Sequence, residues 1–146
     1  MKVSTKGRYG LRVMMELAAR YGQGPVMVED IARSQSLSGK YIHVIAGGLR
    51  TAGLIRAVRG PAGGYELART PATITALDIV SALEGSLAPV DCVADACSCP
   101  RSSACVSREV WQDVATAVEG VLKGRTLEDL VRRQQAVTQG PVNWEI

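Results

Sequence analysis

The sequence predicts a mostly α-helical chain with one small β-hairpin: a winged helix-turn-helix region followed by a long dimerisation helix. A short helix, a tight break and a second helix occupy residues 28–52, and a glycine-rich hairpin follows directly. A later amphipathic segment carries a stripe of valines that is longer than the small domain before it could cover. We expect a winged helix-turn-helix region over 1–74, a short helix and cysteine-bearing loop over 75–104, and the long helix plus a C-terminal helix packing back over 105–146.

Apolar residues at helical spacing predict the first three helices. The first spans Thr5–Tyr21, with an inward stripe at Leu11, Met14, Met15, Ala18 and Tyr21. The second spans Val28–Gln35. The third runs from about Gly39 to Ala52, with Ser38 as a plausible N-cap before it, and its predicted buried stripe is Ile42, Ile45, Leu49 and Ala52.

The opposite face of the third helix has no apolar residue to bury, and it carries Lys40, His43, Gly47 and Arg50. Two short strands, Leu54–Val58 and Tyr65–Ala68, then flank the turn Arg59–Gly64. A basic-faced second helix followed by such a hairpin is typical of a winged DNA-binding module. The glycine-rich tip lets backbone N–H groups approach phosphates, and we expect Arg59 to enter a minor groove.

The charge is divided between the two halves of the chain. Residues 1–69 contain eleven Lys/Arg and four acidic residues, a net +7, whereas residues 70–146 carry a net −4. This asymmetry indicates that the first half meets a polyanion such as double-stranded DNA. No secretory signal and no run of about 18 apolar residues is visible, so we expect a cytoplasmic protein with no membrane partner.

The second half is predicted to begin with a capping box at Thr75–Asp78, opening a helix to about Glu84. A loop without periodicity follows over Gly85–Ala104, and then the long helix over about Ser107–Leu122. The remaining expectations are a final helix from Thr126 to about Ala136, a loosely packed tail over 138–146, and packing roles for Trp111 and Trp144.

All four cysteines fall within the stretch DCVADACSCPRSSAC, at Cys92, Cys97, Cys99 and Cys105. In a cytosolic protein, clustered cysteines more often bind metal than form disulfides. Four thiolates suit a 2Fe–2S cluster, a 4Fe–4S cluster or tetrahedral zinc. The spacing of Cys97 and Cys99 is not the C-x2-C of most structural zinc sites, which favours iron–sulfur, and thiols acting without metal stay open.

Other function classes find less support in the sequence. No nucleophile–base pair, paired carboxylates or phosphate-binding loop is visible, so we expect neither an enzyme nor a small-molecule substrate. His43, the sole histidine, lies on the predicted DNA face and is not expected to bind metal. An electron carrier would not account for the hairpin or the basic helix face.

The segments YGLRVMMELA and YIHVIAGGLRTAGLIRAVRGPAGGYELAR closely resemble the Rrf family of bacterial winged-helix transcription regulators, with its IscR-, NsrR- and CymR-like members. The resemblance covers nearly the whole chain. It implies a homodimer that binds a pseudo-palindromic operator. Together with Arg50 from the helix face, the DNA contacts it implies are Ser38, Lys40, Tyr41, His43, Arg59, Gly60, Pro61, Gly63 and Gly64. Many family members carry an acidic residue where this chain has His43, so the preferred bases are not implied.

Cluster-binding members of that family typically have three cysteines separated by five residues, with a fourth ligand from elsewhere. Here five residues separate Cys99 from Cys105, but six separate Cys92 from Cys99. Arg108 stands where IscR-like members have a histidine, which leaves Cys97 as the fourth ligand. We therefore expect operator affinity to depend on an iron–sulfur cluster held by these cysteines, the alternative being a zinc site or a metal-free thiol switch.

Overall fold

The computed structural model describes residues 2–140. Over this range the chain is mostly helical with a single two-stranded antiparallel hairpin, as the sequence predicts. The order of elements is α1 (Thr5–Ala19), α2 (Val28–Gln35), α3 (Gly39–Thr51), β1 (Ile55–Val58), β2 (Gly64–Leu67), α4 (Ala76–Glu84), α5 (Asp91–Ala94), α6 (Val106–Lys123) and α7 (Leu127–Gln139). The predicted packing of Trp144 and the tail beyond Gly140 lie outside the described residues.

The core lies where α1, α3, α4, the hairpin and the beginning of α7 meet. Its fully buried large side chains include Met14, Leu17, Ile31, Ile42, Ile45, Leu49, Leu54, Ile74, Ile79 and Leu127. Two predicted core positions are wrong. Tyr21 is 47% exposed because α1 ends at Ala19, and Ala52 is exposed because it caps α3 while Ala46 takes the buried place.

Local hydrogen bonds define the ends of the helices. The Ser38 hydroxyl accepts from the Tyr41 N–H at 3.1 Å, which confirms the predicted cap of α3. Thr75 with Asp78 and Thr126 with Asp129 form complete capping boxes at the starts of α4 and α7. The hydrogen bond with Thr126 lowers the pKa of the Asp129 carboxyl.

These two capping boxes lie side by side. The Ala76 N–H donates to the Arg125 carbonyl at 2.8 Å, and the Leu127 N–H donates to the Ile74 carbonyl at 2.9 Å. The start of α7 is therefore joined to the start of α4. This junction directs α7 back across α1, with Leu127 buried in the core.

The hairpin is held on both sides. Within it, Ile55 pairs with Leu67 and Ala57 pairs with Tyr65. On the other side of β2, Val26 and Tyr65 exchange two backbone hydrogen bonds of 2.8 and 2.9 Å. The backbone approaches so closely that a Cβ added to Gly64 would lie 1.9 Å from the Val26 carbonyl oxygen.

The C-terminal end of α4 rests on glycines of α1 and α3. A Cβ at Gly7 would lie 2.1 Å from Glu84 Oε1, and one at Gly10 would lie 2.0 Å from a Leu83 methyl. Gly48 of α3 faces the other Leu83 methyl in the same way, at 3.0 Å. Glu84 also accepts a hydrogen bond from the Ser4 N–H at 3.0 Å, next to the start of α1.

The stretch from Gly85 to Ala104 is not the featureless loop that the sequence predicts. It contains α5 and two 3-10 turns, at Ala96–Ser98 and Ser102–Ala104. Short side-chain contacts form these turns: the Asp95 carboxylate accepts from the Cys97 N–H at 2.9 Å, and the Ser102 hydroxyl donates to the Cys99 carbonyl at 2.8 Å. Elements of three or four residues are too short to leave a periodic pattern in the sequence.

Within residues 2–140, no helix combines the length and the apolar content that crossing a bilayer requires.

Two glycine substitutions should change stability in opposite directions. Gly64→Ala forces apart the backbones of β2 and Val26, so we expect the free energy of unfolding to fall by about 2 kcal/mol or more. Gly47→Ala meets nothing within 4 Å and should raise it by about 0.5–1 kcal/mol, because alanine favours a helix interior. Urea unfolding followed by circular dichroism measures both, and equal effects of the two variants would contradict the close approach at Gly64.

Candidate nucleic-acid interface and cysteine segment

The exposed face of α3 carries three of the predicted DNA contacts. Lys40, His43 and Arg50 are exposed, as is the capping residue Ser38. Tyr41 is half-buried, with its ring edge-to-face against Tyr9 of α1 at a centroid distance of 6.4 Å. The predicted helix contacts therefore share one exposed surface, except that Tyr41 is partly covered by α1.

A basic cluster on α1 adjoins this surface, and sequence reasoning missed it. The guanidinium carbons of Arg8 and Arg12 lie 5.3 and 5.2 Å from the centre of the Tyr9 ring, within cation–π distance. Arg12 Nε also donates to Gln35 Oε1 of α2 at 2.9 Å. The spacing R-Y-x-x-R, with one arginine directly before the tyrosine and another about one turn after it, is the signal that could have found the cluster.

The wing and α3 form one cleft. Its lining includes His43 from α3 and Arg59, Pro61 and Gly63 from the hairpin turn. Gly60 has a φ of 115°, a conformation that favours glycine, and its carbonyl accepts from the Gly63 N–H at 3.0 Å. The turn thereby brings the predicted wing contacts, exposed Arg59 among them, beside the exposed face of α3 that carries Lys40, His43 and Arg50, the recognition face.

His43 is held by a contact from the hairpin. Its Nδ1 lies 2.8 Å from the Tyr65 hydroxyl, and the two rings meet edge-to-face at 5.9 Å. The recognition face and the wing are thus joined by a side-chain hydrogen bond as well as by the backbone.

The four cysteines are free thiols in a surface segment. Cys97 is exposed, and Cys92, Cys99 and Cys105 are half-buried. Within residues 2–140, no three side chains of histidine, cysteine, aspartate or glutamate converge closely enough to hold a metal ion. The thiols do not form a preassembled site in this arrangement, and the predicted ligand set stays a prediction.

Cys105 has the most distinctive environment of the four. It occupies the N-cap position of α6, and its sulfur lies 3.2 Å from the Ser107 hydroxyl. The hydrogen bond from Ser107, with a second from the Arg108 backbone N–H, lowers the pKa of this thiol. A lower pKa increases the fraction of thiolate, which is the reactive and metal-binding form of cysteine.

Arg108 joins the cysteine segment to α6. Its Nε donates to the Cys92 carbonyl at 2.8 Å, across sixteen positions of the chain. The residue that replaces a possible histidine ligand therefore fixes α5 against the first turn of α6 through its side chain.

Apolar side chains of α6 lie open to solvent. No residue of this 18-residue helix is buried, and the exposed set is Val106, Val110, Trp111, Val114 and Val121. Trp111, predicted to pack, is 43% exposed, so that prediction is wrong for the single chain. Together with Val110 at 55%, it gives α6 an apolar surface that residues 2–140 leave uncovered.

Residues 3–133 match the family model Rrf2, described as an iron-dependent transcriptional regulator. The chain belongs to the Rrf2 family. CymR of Bacillus subtilis (strain 168), an HTH-type transcriptional regulator, is 44% identical over 130 residues, covering 89% of each chain. These similarities bear out the resemblance that the sequence predicts.

Solved structures agree with this placement. T. potens IscR superimposes with a TM-score of 0.78 at 38% identity, over 97% of this chain and 93% of that one. The oxidized form of Staphylococcus aureus CymR superimposes with a TM-score of 0.71 at 40% identity, over 90% and 96% of the two chains. The Rrf2 chain described here is a DNA-binding transcription regulator with a winged-helix fold and, like its homologues, not an enzyme.

Arg59→Ala should weaken DNA binding and reduce its dependence on salt. If Arg59 neutralises one phosphate, its loss lowers the slope of log affinity against log salt by about 0.9. Fluorescence anisotropy with a duplex bound by the wild-type protein, at several salt concentrations, measures this slope. Arg133→Ala, on the exposed surface of α7, is the matched control. An unchanged slope in the Arg59 variant would remove Arg59 from the interface.

Proposed function

We propose that this chain is a homodimeric Rrf2-family regulator that binds a pseudo-palindromic operator, with affinity set by the chemical state of its four thiols. One observation carries the proposal: the cysteine segment begins where α4 rests on the DNA-contacting helix and ends at the helix that we propose joins the dimer. Leu83, just before its start, meets Gly10 of α1 and Gly48 of α3, and Cys105 at its end caps α6.

The operator contacts that we propose come from α3 and the wing. They are Ser38, Lys40, Tyr41, His43, Arg50, Arg59, Gly60, Pro61, Gly63 and Gly64. His43 and the wing residues line one cleft, the other α3 contacts lie on the same helix, and residues 1–69 carry a net +7. These observations support a major groove occupied by α3 and phosphates contacted by the wing. In a two-fold symmetric dimer, the half-sites would lie about one helical turn, roughly 34 Å, apart or a multiple of it.

The uncovered apolar surface of α6 supports the homodimer. Val110, Trp111 and Val114 follow one another at the start of α6, and each is more than a third exposed. A second copy of the same helix would cover this surface with the same surface, as a two-fold interface requires.

A change at the thiols would reach the DNA-contacting helix through two joints. At one end Leu83 touches both α1 and α3, so a shift of α4 changes the seating of the recognition helix. At the other end Arg108 ties Cys92 to α6, which spaces the two halves of the dimer. A thiol state that tightens or loosens the segment would shift the population between two dimer arrangements.

For the thiol state itself, the donor set fits an iron–sulfur cluster, with Cys92, Cys97, Cys99 and Cys105 as its four ligands. The family description and the likeness to T. potens IscR support this choice. A bound cluster would supply redox-active chemistry at the segment. The thiols do not converge as they lie, so binding requires the short turns over 91–105 to rearrange. Zinc is the less favoured metal, given the C-x-C spacing.

A metal-free thiol switch is the second candidate, and the environment of Cys105 favours it. The lowered pKa of this thiol raises its thiolate fraction, and thiolates are the form that oxidants attack. Similarity to B. subtilis CymR, whose structure is described as that of the global cysteine regulator of its organism, supports a response without a cluster.

Placing a charge on α6 should separate the dimer. Val110→Glu puts a carboxylate at the proposed contact, where two copies would face each other, and we expect a monomer in sedimentation velocity with operator affinity reduced at least tenfold. Val137→Glu, equally apolar and exposed but on α7, is the control and should stay dimeric. A wild-type monomer, or a dimeric Val110→Glu protein, would contradict the proposed interface.

Anaerobic purification tests the thiol state. If a cluster forms, the protein has visible absorbance with iron and sulfide in stoichiometric amounts, and Cys92→Ala or Cys105→Ala abolishes both. Ser103→Ala, a polar surface change in the same segment, should leave them intact. A colourless protein would contradict the cluster. The second candidate then predicts that oxidant changes the operator affinity of the wild type and leaves that of Cys105→Ser unchanged.

A further inference from the structure

Among the described residues, one ring nitrogen of His43 has a hydrogen-bond partner and the other has none. Nδ1 faces the Tyr65 hydroxyl at 2.8 Å, and the edge-to-face contact of the rings fixes the plane of the imidazole. The side chain is exposed on the recognition face of α3. Nε2 is therefore the ring nitrogen that remains for a ligand.

Tyr65 is the fixed member of this pair. It is 7% exposed, and its backbone is paired with Ala57 on one side and with Val26 on the other. Because its backbone is paired on both sides and its ring is packed in the core, the phenol has little room to turn with the imidazole. The orientation of His43 is set by Tyr65 and not the reverse.

The same hydrogen bond decides which nitrogen carries the proton. Among the described residues, His43 is the one side-chain partner found for the Tyr65 hydroxyl. Donation by the phenol to Nδ1 is the direction that pairs the hydroxyl hydrogen within the protein, and leaving that hydrogen unpaired at a buried residue costs about 1–3 kcal/mol. A neutral imidazole that accepts at Nδ1 carries its hydrogen on Nε2. His43 consequently offers solvent a single, oriented N–H donor.

We propose that Tyr65 is a specificity-determining residue of the operator interface. Its hydroxyl fixes His43 as an Nε2–H donor, and this donor selects guanine at one base pair. The inference rests on the proposed placement of α3 in the major groove. Residue Tyr65 itself, on the wing strand, acts only through His43.

The chemistry of the major groove leads to guanine. Guanine presents two adjacent acceptors, N7 and O6, whereas adenine sets an amino donor beside its N7. Thymine places a methyl group beside its O4 acceptor, and cytosine offers a donor. A lone N–H donor held in one direction therefore meets its best partner in guanine. A histidine free to exchange tautomers would accept from adenine or cytosine as readily as it donates.

The test uses the full-length protein and a library of DNA duplexes with a randomised central segment. The wild type should select a site with guanine at one position of each half-site, preferred about five- to tenfold over the other bases. In Tyr65→Phe, which keeps the ring and removes the hydroxyl, the preference should fall to within about twofold while binding to random duplex is unchanged. Tyr21→Phe, an exposed tyrosine off this surface, should keep the wild-type preference.

A double-variant cycle separates this role from a general structural one. His43→Ala should remove the same preference, and Tyr65→Phe should then have no further effect on it, because both act on one contact. Independent losses from the two substitutions would overturn the proposal.

The chain's single histidine gives a direct spectroscopic readout. In protein labelled with 15N-histidine at about pH 9, where imidazole is neutral, the wild type should show hydrogen on Nε2. Tyr65→Phe should show a mixture of tautomers. Hydrogen on Nδ1 in the wild type, or identical spectra and base preferences in both proteins, would overturn the inference. A wild type that selects no sequence would instead contradict the proposed operator binding, and the tautomer would still be measured.

Discussion

The seating of the α4 C-terminus on α1 and α3 is the contact on which the other relations in the molecule depend. It exists because Gly7, Gly10 and Gly48 present no Cβ to Leu83 and Glu84. Each glycine costs its helix about 1 kcal/mol relative to alanine. In return, one leucine touches both the first helix and the DNA-contacting helix, and the cysteine segment departs from that point. The cysteine segment thus begins beside the DNA-contacting helix although the two are far apart in sequence.

Much of the fold follows from signals that act within four residues. Periodicity predicted α2 to the residue. The caps at Ser38, Thr75 and Thr126 were also predicted, since each depends on groups within three residues of the chain. The predicted burial of Tyr21 and Ala52 was wrong, because burial at these positions depends on where the helix ends. The two adjacent glycines of α3 differ in their surroundings. Gly48 makes room for Leu83, whereas no contact explains Gly47.

The residues of the candidate site also differ in whether a local sequence pattern could identify them. A basic helix face and a glycine-rich turn are local patterns, so the residues of the proposed interface could be named from the sequence. The partner of His43 could not, because Tyr65 is 22 positions away and only the hairpin brings its hydroxyl within reach. Arg108 was noted for the ligand that it replaces, while its bond to the Cys92 carbonyl depends on how α5 folds. Such long-range pairs leave no spacing rule to find.

The junction of the two capping boxes has a consequence for how this chain can vary. The stretch from α4 to the end of α6 begins at Ile74–Ala76 and ends at the same place, at Arg125–Leu127. Closing a loop between fixed ends depends only weakly on its length, about 0.6 kcal/mol for a doubling. Residues can therefore be gained or lost between Gly85 and Cys105 without disturbing α7 or the hairpin. The cysteine segment of such a chain can be exchanged over generations while its DNA-contacting surface is inherited unchanged.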